Sequence, residues 1–260
     1  MRDQPWTAGL APLRRTFTAS QLAQVARPAG VEATVLVQTV TVAEETPELL
    51  SLAAADPLVA GVVGWIDLTA ADAADALAAL RGPLVGIRHQ VQDEPDPDWL
   101  RRPDVRAGLH AVASAGLIYD LLTVPAQLPS AIDTVHALDE LTFVLDHLSK
   151  PPIASDELEP WATGIRALAA HENVVCKLSG MVTEAAWDTW SVDDLRPYAE
   201  VVLDAFGPER MMFGSDWPVC LLAAPYDAVL AAAAELTSGL SASERAAVFA
   251  GTARRVYGLG

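Results

Sequence analysis

The sequence predicts an α/β chain built as a TIM-like (β/α)8 barrel, on three observations: its length, a recurring apolar run, and a helix-spaced stretch between many of the runs. At 260 residues the chain has the usual size of one such barrel and can bury most of its apolar surface in one core. Seven runs rich in β-branched and apolar residues recur, at Ala33 to Thr39, Val59 to Ile66, Leu84 to His89, Leu117 to Leu122, Thr142 to His147, Val174 to Ser179 and Met211 to Asp216. Several are continuously apolar and close on a polar residue, as parallel strands do when buried on both faces with their carboxyl ends opening onto a site. Those ends are Gln38, Asp67, His89, Asp120, His147, Ser179 and Asp216.

Between the runs, Asp72 to Leu80, Val105 to Ala115, Ala126 to Leu138, Trp161 to Ala170 and Leu195 to Ala205 carry apolar residues three and four apart. That spacing belongs to outer helices burying one face against a sheet. Gly82-Pro83, Pro151-Pro152 and Gly207-Pro208 punctuate the junctions, and no low-complexity linker divides the chain, so residues 1–260 are expected to form a single domain. A barrel of this type has eight strands. Ahead of Ala33 there is one helix, Ala19 to Ala29, and a proline-broken approach, Arg2 to Phe17, with no strand. The first strand is therefore expected to be missing from this sequence, leaving the barrel open or closed in another way.

Thirty-four acidic against 17 basic residues give a formal charge of -17, which repels phosphate backbones and anionic membrane surfaces. Nucleic acid and membrane are excluded as expected partners, and a small molecule remains. Cys176 and Cys220 sit in or beside apolar runs rather than in a spaced framework, as in a chain from a reducing compartment. With no signal-peptide core and no apolar run of membrane-spanning length, a cytoplasmic protein is expected.

Three segments carry chemistry. Met211-Met212-Phe213-Gly214-Ser215-Asp216-Trp217-Pro218 is an apolar strand delivering an aspartate at its end. A carboxylate there faces the site, the competing reading being a helix cap. Phe143-Val144-Leu145-Asp146-His147-Leu148-Ser149-Lys150-Pro151 ends a strand on a histidine, whose neutral imidazole can bind a metal or carry a proton, unless it is simply a buried, satisfied side chain. Its neighbour Asp146 alternates to the opposite face and reads as a helix-side partner. Gly86-Ile87-Arg88-His89 offers a guanidinium suited to a carboxylate or an oxyanion, or to a structural ion pair, and an imidazole. In a regular strand only one of Arg88 and His89 enters the site. Gln38, Trp65, Tyr119, Asp120, Lys177 and Ser179 are weaker candidates, and His110, His136 and His171 fall on outer helices as surface residues.

Together, Gly86-Ile87-Arg88-His89, Val144 to Pro151, Cys176-Lys177-Leu178-Ser179-Gly180 and Phe213 to Pro218 resemble the amidohydrolase-2 family, in its L-fuconolactonase and L-rhamnonolactonase branch. The likeness runs from Pro5-Trp6 to Gly251-Thr252-Ala253-Arg254-Arg255-Val256-Tyr257. The resemblance implies a (β/α)8 barrel in which His147 is the strand-six histidine and Asp216 the strand-eight aspartate. It also implies a first strand with a His-x-His pair, which lies upstream of the segment matching Pro5-Trp6 and is not in this sequence. A divalent metal such as zinc is implied for many members, with His147 and Asp216 as two ligands and His89 as a candidate third.

For a lactonase, the resemblance makes Asp216 the general base that activates water against a sugar-acid lactone, with His147 beside it. Arg88, His89 and Lys177 become candidates for the oxyanion and substrate hydroxyls, while Trp65 and Trp217 suit the apolar face of a sugar ring. A metal-dependent decarboxylase of the same superfamily and a non-catalytic binding barrel stand as alternatives.

Overall fold

The computed structural model describes residues 4–260. Seven parallel strands form one sheet in strict sequence order: β1 Thr34–Val37, β2 Val59–Gly64, β3 Leu84–His89, β4 Ile118–Leu121, β5 Phe143–Leu145, β6 Val174–Leu178 and β7 Met211–Phe213. Each falls within one of the seven apolar runs. Several stop short of the run's end, because the chain leaves extended geometry before it: His147 has φ 51° and Asp216 φ 53°.

Alternation along the strands sorts their side chains onto two faces. One face carries Val63, Val144, Val175 and Met212, which cluster with Val35, Val37, Val85 and Ile118. The other carries Ile87, Tyr119, Leu121, Phe143, Leu145, Val174, Cys176 and Met211, packed against the helices. The first set is the barrel interior and the second the helix-facing core.

Helices α1 Ala19–Ala26, α2 Glu45–Ala55, α3 Ala73–Ala79, α4 Pro103–Ser114, α5 Leu128–Ala137, α6 Trp161–Ala169, α7 Met181–Glu184, α8 Val192–Phe206, α9 Tyr226–Leu236, α10 Ala242–Ala246 and α11 Thr252–Tyr257 follow in order. α1 opens on a capping box, Thr18 Oγ1 accepting from Gln21 N at 3.2 Å and Gln21 Oε1 from Thr18 N at 3.0 Å. None of the helices among the described residues is long and apolar enough to cross a membrane.

Among the described residues β1 and β7 are the two edges of the sheet, with no strand between them. Two segments attend this seam. Residues 4–17 link its sides at the carboxyl ends of the strands: Gln4 Nε2 donates to Thr39 Oγ1 at 2.7 Å, just past β1, and Phe17 meets Trp217, just past β7, edge-on at 5.3 Å. The second is α11, whose Tyr257 joins the interior cluster together with Val256 and Leu259.

Candidate active site

At the carboxyl end of β7 the chain turns through Gly214 and Ser215 into Asp216, and at the end of β5 it turns into His147. His147 Nε2 lies 3.7 Å from Asp216 Oδ1, and both side chains keep 14% of their surface exposed. The other ring nitrogen, Nδ1, is 2.8 Å from the hydroxyl of Ser179 at the end of β6. Residues separated by more than sixty positions thus meet at one mouth, as parallel strands require of their carboxyl ends.

The turn that presents His147 is left-handed over four consecutive non-glycine residues, His147, Leu148, Ser149 and Lys150, with φ between 51° and 57°. Such conformations persist only when their surroundings over-determine them. Here Trp161 Nε1 donates to the Leu148 carbonyl at 2.7 Å, Ser149 Oγ pairs with Thr123 Oγ1 at 2.8 Å, and Lys150 pairs with Glu184 at 3.2 Å. Burial lowers the His147 pKa against the opposing pull of Asp216 and Asp146, so the ring is neutral at pH 7.

One layer further in, three strand residues, two that directly follow β1 and β5, and one from α11 form a buried charge network. Arg88 Nη1 donates to Asp146 Oδ2 at 2.7 Å, and Arg88 Nη2 reaches both the carbonyl and the side-chain oxygen of Gln38. Lys177 Nζ sits between Asp120 and Asp146, 2.7 Å from Asp146 Oδ1. The Tyr257 hydroxyl lies 2.9 Å from each oxygen of Asp120. Two cations therefore face two carboxylates.

Burial raises the Asp120 pKa to about 6 despite Lys177. Burial also pushes Asp146 upward, but Lys177 and Arg88 together outweigh it and hold that carboxyl below its ordinary value. Lys177 is desolvated yet held well above its ordinary value by the two aspartates. Two buried donors, Arg88 Nε and Gln38 Nε2, have no hydrogen-bond partner among the described residues.

The inward placement of Asp146 corrects the expectation that it alternates outward to a helix. Val144 faces the interior and Leu145 the helices, so alternation itself turns Asp146 inward; His147, the residue expected to point in, reaches the mouth only because the left-handed turn breaks the alternation after Asp146. Arg88 and His89 do divide as a regular strand demands. Arg88 enters the network, while His89 stacks on Trp99 at 4.3 Å, accepts from Trp65 Nε1 at Nδ1 (3.0 Å) and donates from Nε2 to Glu94 (2.7 Å). Both His89 nitrogens are thereby occupied. Tyr119 faces the helices beside Phe143. His110 is exposed against Glu140, and His136 and His171 lie near one another away from the site. Nothing in a closing amphipathic helix marks Tyr257 in the sequence as the side chain that reaches the charged layer.

A catalytic zinc ordinarily takes three protein ligands and a water. His147 and Asp216 offer two, His89 is spent on Trp65 and Glu94, and no group of three His, Cys, Asp or Glu suited to a metal occurs among the described residues. The described residues therefore do not by themselves fit a three-ligand centre.

An acid and an imidazole meeting at the carboxyl ends of a curled, seven-stranded parallel sheet are an arrangement that barrel hydrolases use. The chain belongs to the Amidohydrolase family, whose sequence profile matches residues 5–259. It is 41% identical to an L-fucono-1,5-lactonase of Burkholderia multivorans, with 99% of this chain and 91% of that one covered. It is 39% identical to an L-fucono-1,5-lactonase of Burkholderia ambifaria, covering 98% and 90%. The crystal structure of an amidohydrolase from Burkholderia multivorans with bound zinc superposes with a TM-score of 0.95 at 41% identity, covering 99% and 94%.

Proposed function

We propose that this hydrolase opens a six-membered sugar-acid lactone of the aldono-1,5-lactone type, with Asp216 as general base. One observation carries the reading: in a chain 41% identical to a lactonase along 99% of its length, a carboxylate and a neutral imidazole meet 3.7 Å apart at a partly open mouth. Lactone hydrolysis needs a water deprotonated as it adds to the carbonyl carbon, a stabilised oxyanion, and a proton for the departing ring oxygen. Asp216 takes the water's proton. The carbonyl becomes a tetrahedral oxyanion, the ring C–O bond breaks, and the proton held on Asp216 passes to the alkoxide, leaving a hydroxy acid. His147 Nε2–H is placed to hydrogen-bond the reacting oxygens throughout.

Arg88 and Lys177 lie one layer beneath the reacting oxygens, and Arg88 Nε is a buried donor with no hydrogen-bond partner among the described residues. Trp217 and Trp65 offer apolar faces for the sugar ring, and His89 holds Trp65 from behind by accepting its Nε1–H. No step is routed through a metal. The fold corollary is that the seam between β7 and β1, flanked by two unpaired strand edges, is the place of the barrel's eighth strand. Neither the decarboxylase nor the non-catalytic alternative is favoured by any feature of the site or the comparisons.

The test is acid release by the purified protein from a panel of aldono-1,5- and 1,4-lactones, corrected for spontaneous opening. A kcat/KM above about 10⁴ M⁻¹s⁻¹ on at least one 1,5-lactone is expected. Hydrolysis no faster than buffer across the panel would sink the reading.

A further inference from the structure

We propose that Ser179 is a positioning residue for this reaction: its hydroxyl donates to His147 Nδ1 and so keeps the ring's single proton on Nε2, the nitrogen facing Asp216. The inference rests on the lactonase reading, in which His147 acts at the reacting oxygens.

A neutral imidazole carries one N–H, and the partner of one nitrogen decides where it sits. An ionised carboxylate only accepts, whereas a hydroxyl donates or accepts. With Asp216 on the Nε2 side and Ser179 Oγ 2.8 Å from Nδ1, one arrangement sets every charge and lone pair against a hydrogen: Nε2–H toward Asp216, Ser179 O–H toward Nδ1. The opposite tautomer turns the Nε2 lone pair onto the carboxylate. Ser179 is 4% exposed, so water competes poorly for its hydroxyl.

The ring has little room to escape this contact. Gly180, at φ 66°, packs directly under it, and a Cβ there would lie 2.6 Å from His147 Nδ1 and 2.7 Å from Cγ. Behind Ser179, a Cβ on Gly214 would come within 3.0 Å of the serine Cβ. Two glycines therefore let β6 and β7 close on the imidazole, and the serine between them is the group that addresses its inner nitrogen. Behind metal-ligating histidines a hydrogen-bond partner that fixes the tautomer is typically worth about tenfold to a hundredfold in activity, and the same orienting effect is expected here.

The experiment combines kinetics with ring-nitrogen NMR of protein labelled at histidine, the His147 signals being those missing from His147→Gln. The parent is expected to show a protonated Nε2 and a bare Nδ1. Ser179→Ala is expected to lose at least about tenfold in kcat with KM within about twofold, and to shift His147 toward a mixture of tautomers. Ser179→Thr, which keeps the hydroxyl, restores most of the rate. A parent spectrum with the proton on Nδ1 overturns the proposal without any variant being needed. So does a Ser179→Ala protein with kcat within twofold of the parent, or one whose His147 tautomer is unchanged. Parental turnover by His147→Gln would remove His147 from the mechanism, and the lactonase roles with it. An inactive His147→Gln beside a fully active Ser179→Ala would remove Ser179 alone.

Discussion

The mouth of the barrel and the layer beneath it both bring ionisable side chains within a few ångströms, but they use them differently. In the lower layer Arg88, Lys177, Asp120 and Asp146 neutralise one another, the two aspartates are fully buried, and Tyr257 and Gln38 take up further contacts. At the mouth His147 and Asp216 stand 3.7 Å apart, too far for a mutual hydrogen bond, each retaining some exposure. The difference is one of charge balance and access. A network whose charges cancel out of reach of solvent holds strands together, and a partly exposed pair without a mutual bond can act on a guest.

Substitutions sharpen or break that contrast. The largest expected effect is on stability: Asp146→Ala leaves Arg88 without its carboxylate and Lys177 with Asp120 alone in a buried layer, and should cost about 3–5 kcal/mol, the usual penalty for removing one partner of a buried ion pair. Denaturant unfolding checks it, and a loss under 1 kcal/mol would mean the layer is wetter or less coupled than its geometry implies. At the mouth the effect should be kinetic instead. Asp216→Asn is expected to lower kcat by at least about a hundredfold while leaving the melting temperature within a few degrees. Marked destabilisation by that change would erase the distinction between the two regions.

Tyr257→Phe removes one hydroxyl from a buried carboxylate and should cost about 1.5–3 kcal/mol with KM unchanged. A change in KM instead would connect the lower layer to substrate binding. The smallest effect lies in pH dependence. The Asp120 pKa rises from an ordinary 3.8 to about 6 in the fold. The folded state therefore binds this proton more tightly, and the associated stability is present below about pH 4 and lost as pH rises through 6. Asp120→Asn lacks that loss, so its stability relative to the parent should increase between pH 4 and 6, by on the order of 1 kcal/mol. A constant or falling difference across that window contradicts the raised pKa.

Much of this architecture was legible in the sequence. A strand buried on both faces writes itself as an uninterrupted apolar run, so all seven strands, and the helices α3 to α6 and α8, lie where spacing put them. Helix α2 escaped because its Leu and Ala residues run together, Leu49-Leu50 and Ala53-Ala54-Ala55, and leave a weak apolar stripe, and α9 because Tyr226–Leu236 is apolar almost all round. His147 and Asp216 could be singled out because each ends a distinctive run. Asp146 could not, since an inward His147 gives alternation the wrong phase, and the left-handed turn that lets both neighbours serve the same end of the sheet is not encoded in it. The Tyr257 contact spans 137 positions and joins a helix to the inside of a sheet, a pairing no local pattern announces.

That contact also imposes an order of events. Tyr257 follows every strand in the chain, so during synthesis the four residues of the charged layer emerge from the ribosome well before the phenol that completes it. Until then the Asp120 carboxylate has Lys177 but not the tyrosine hydroxyl, and the seam between the two sheet edges lacks its inner plug. The nascent barrel is thus a species with an unfinished interior, and its last-made helix acts as a latch. Stalled translation products released before and after Tyr257 should differ sharply in protease resistance across β4 and β6, although neither strand differs in sequence between them.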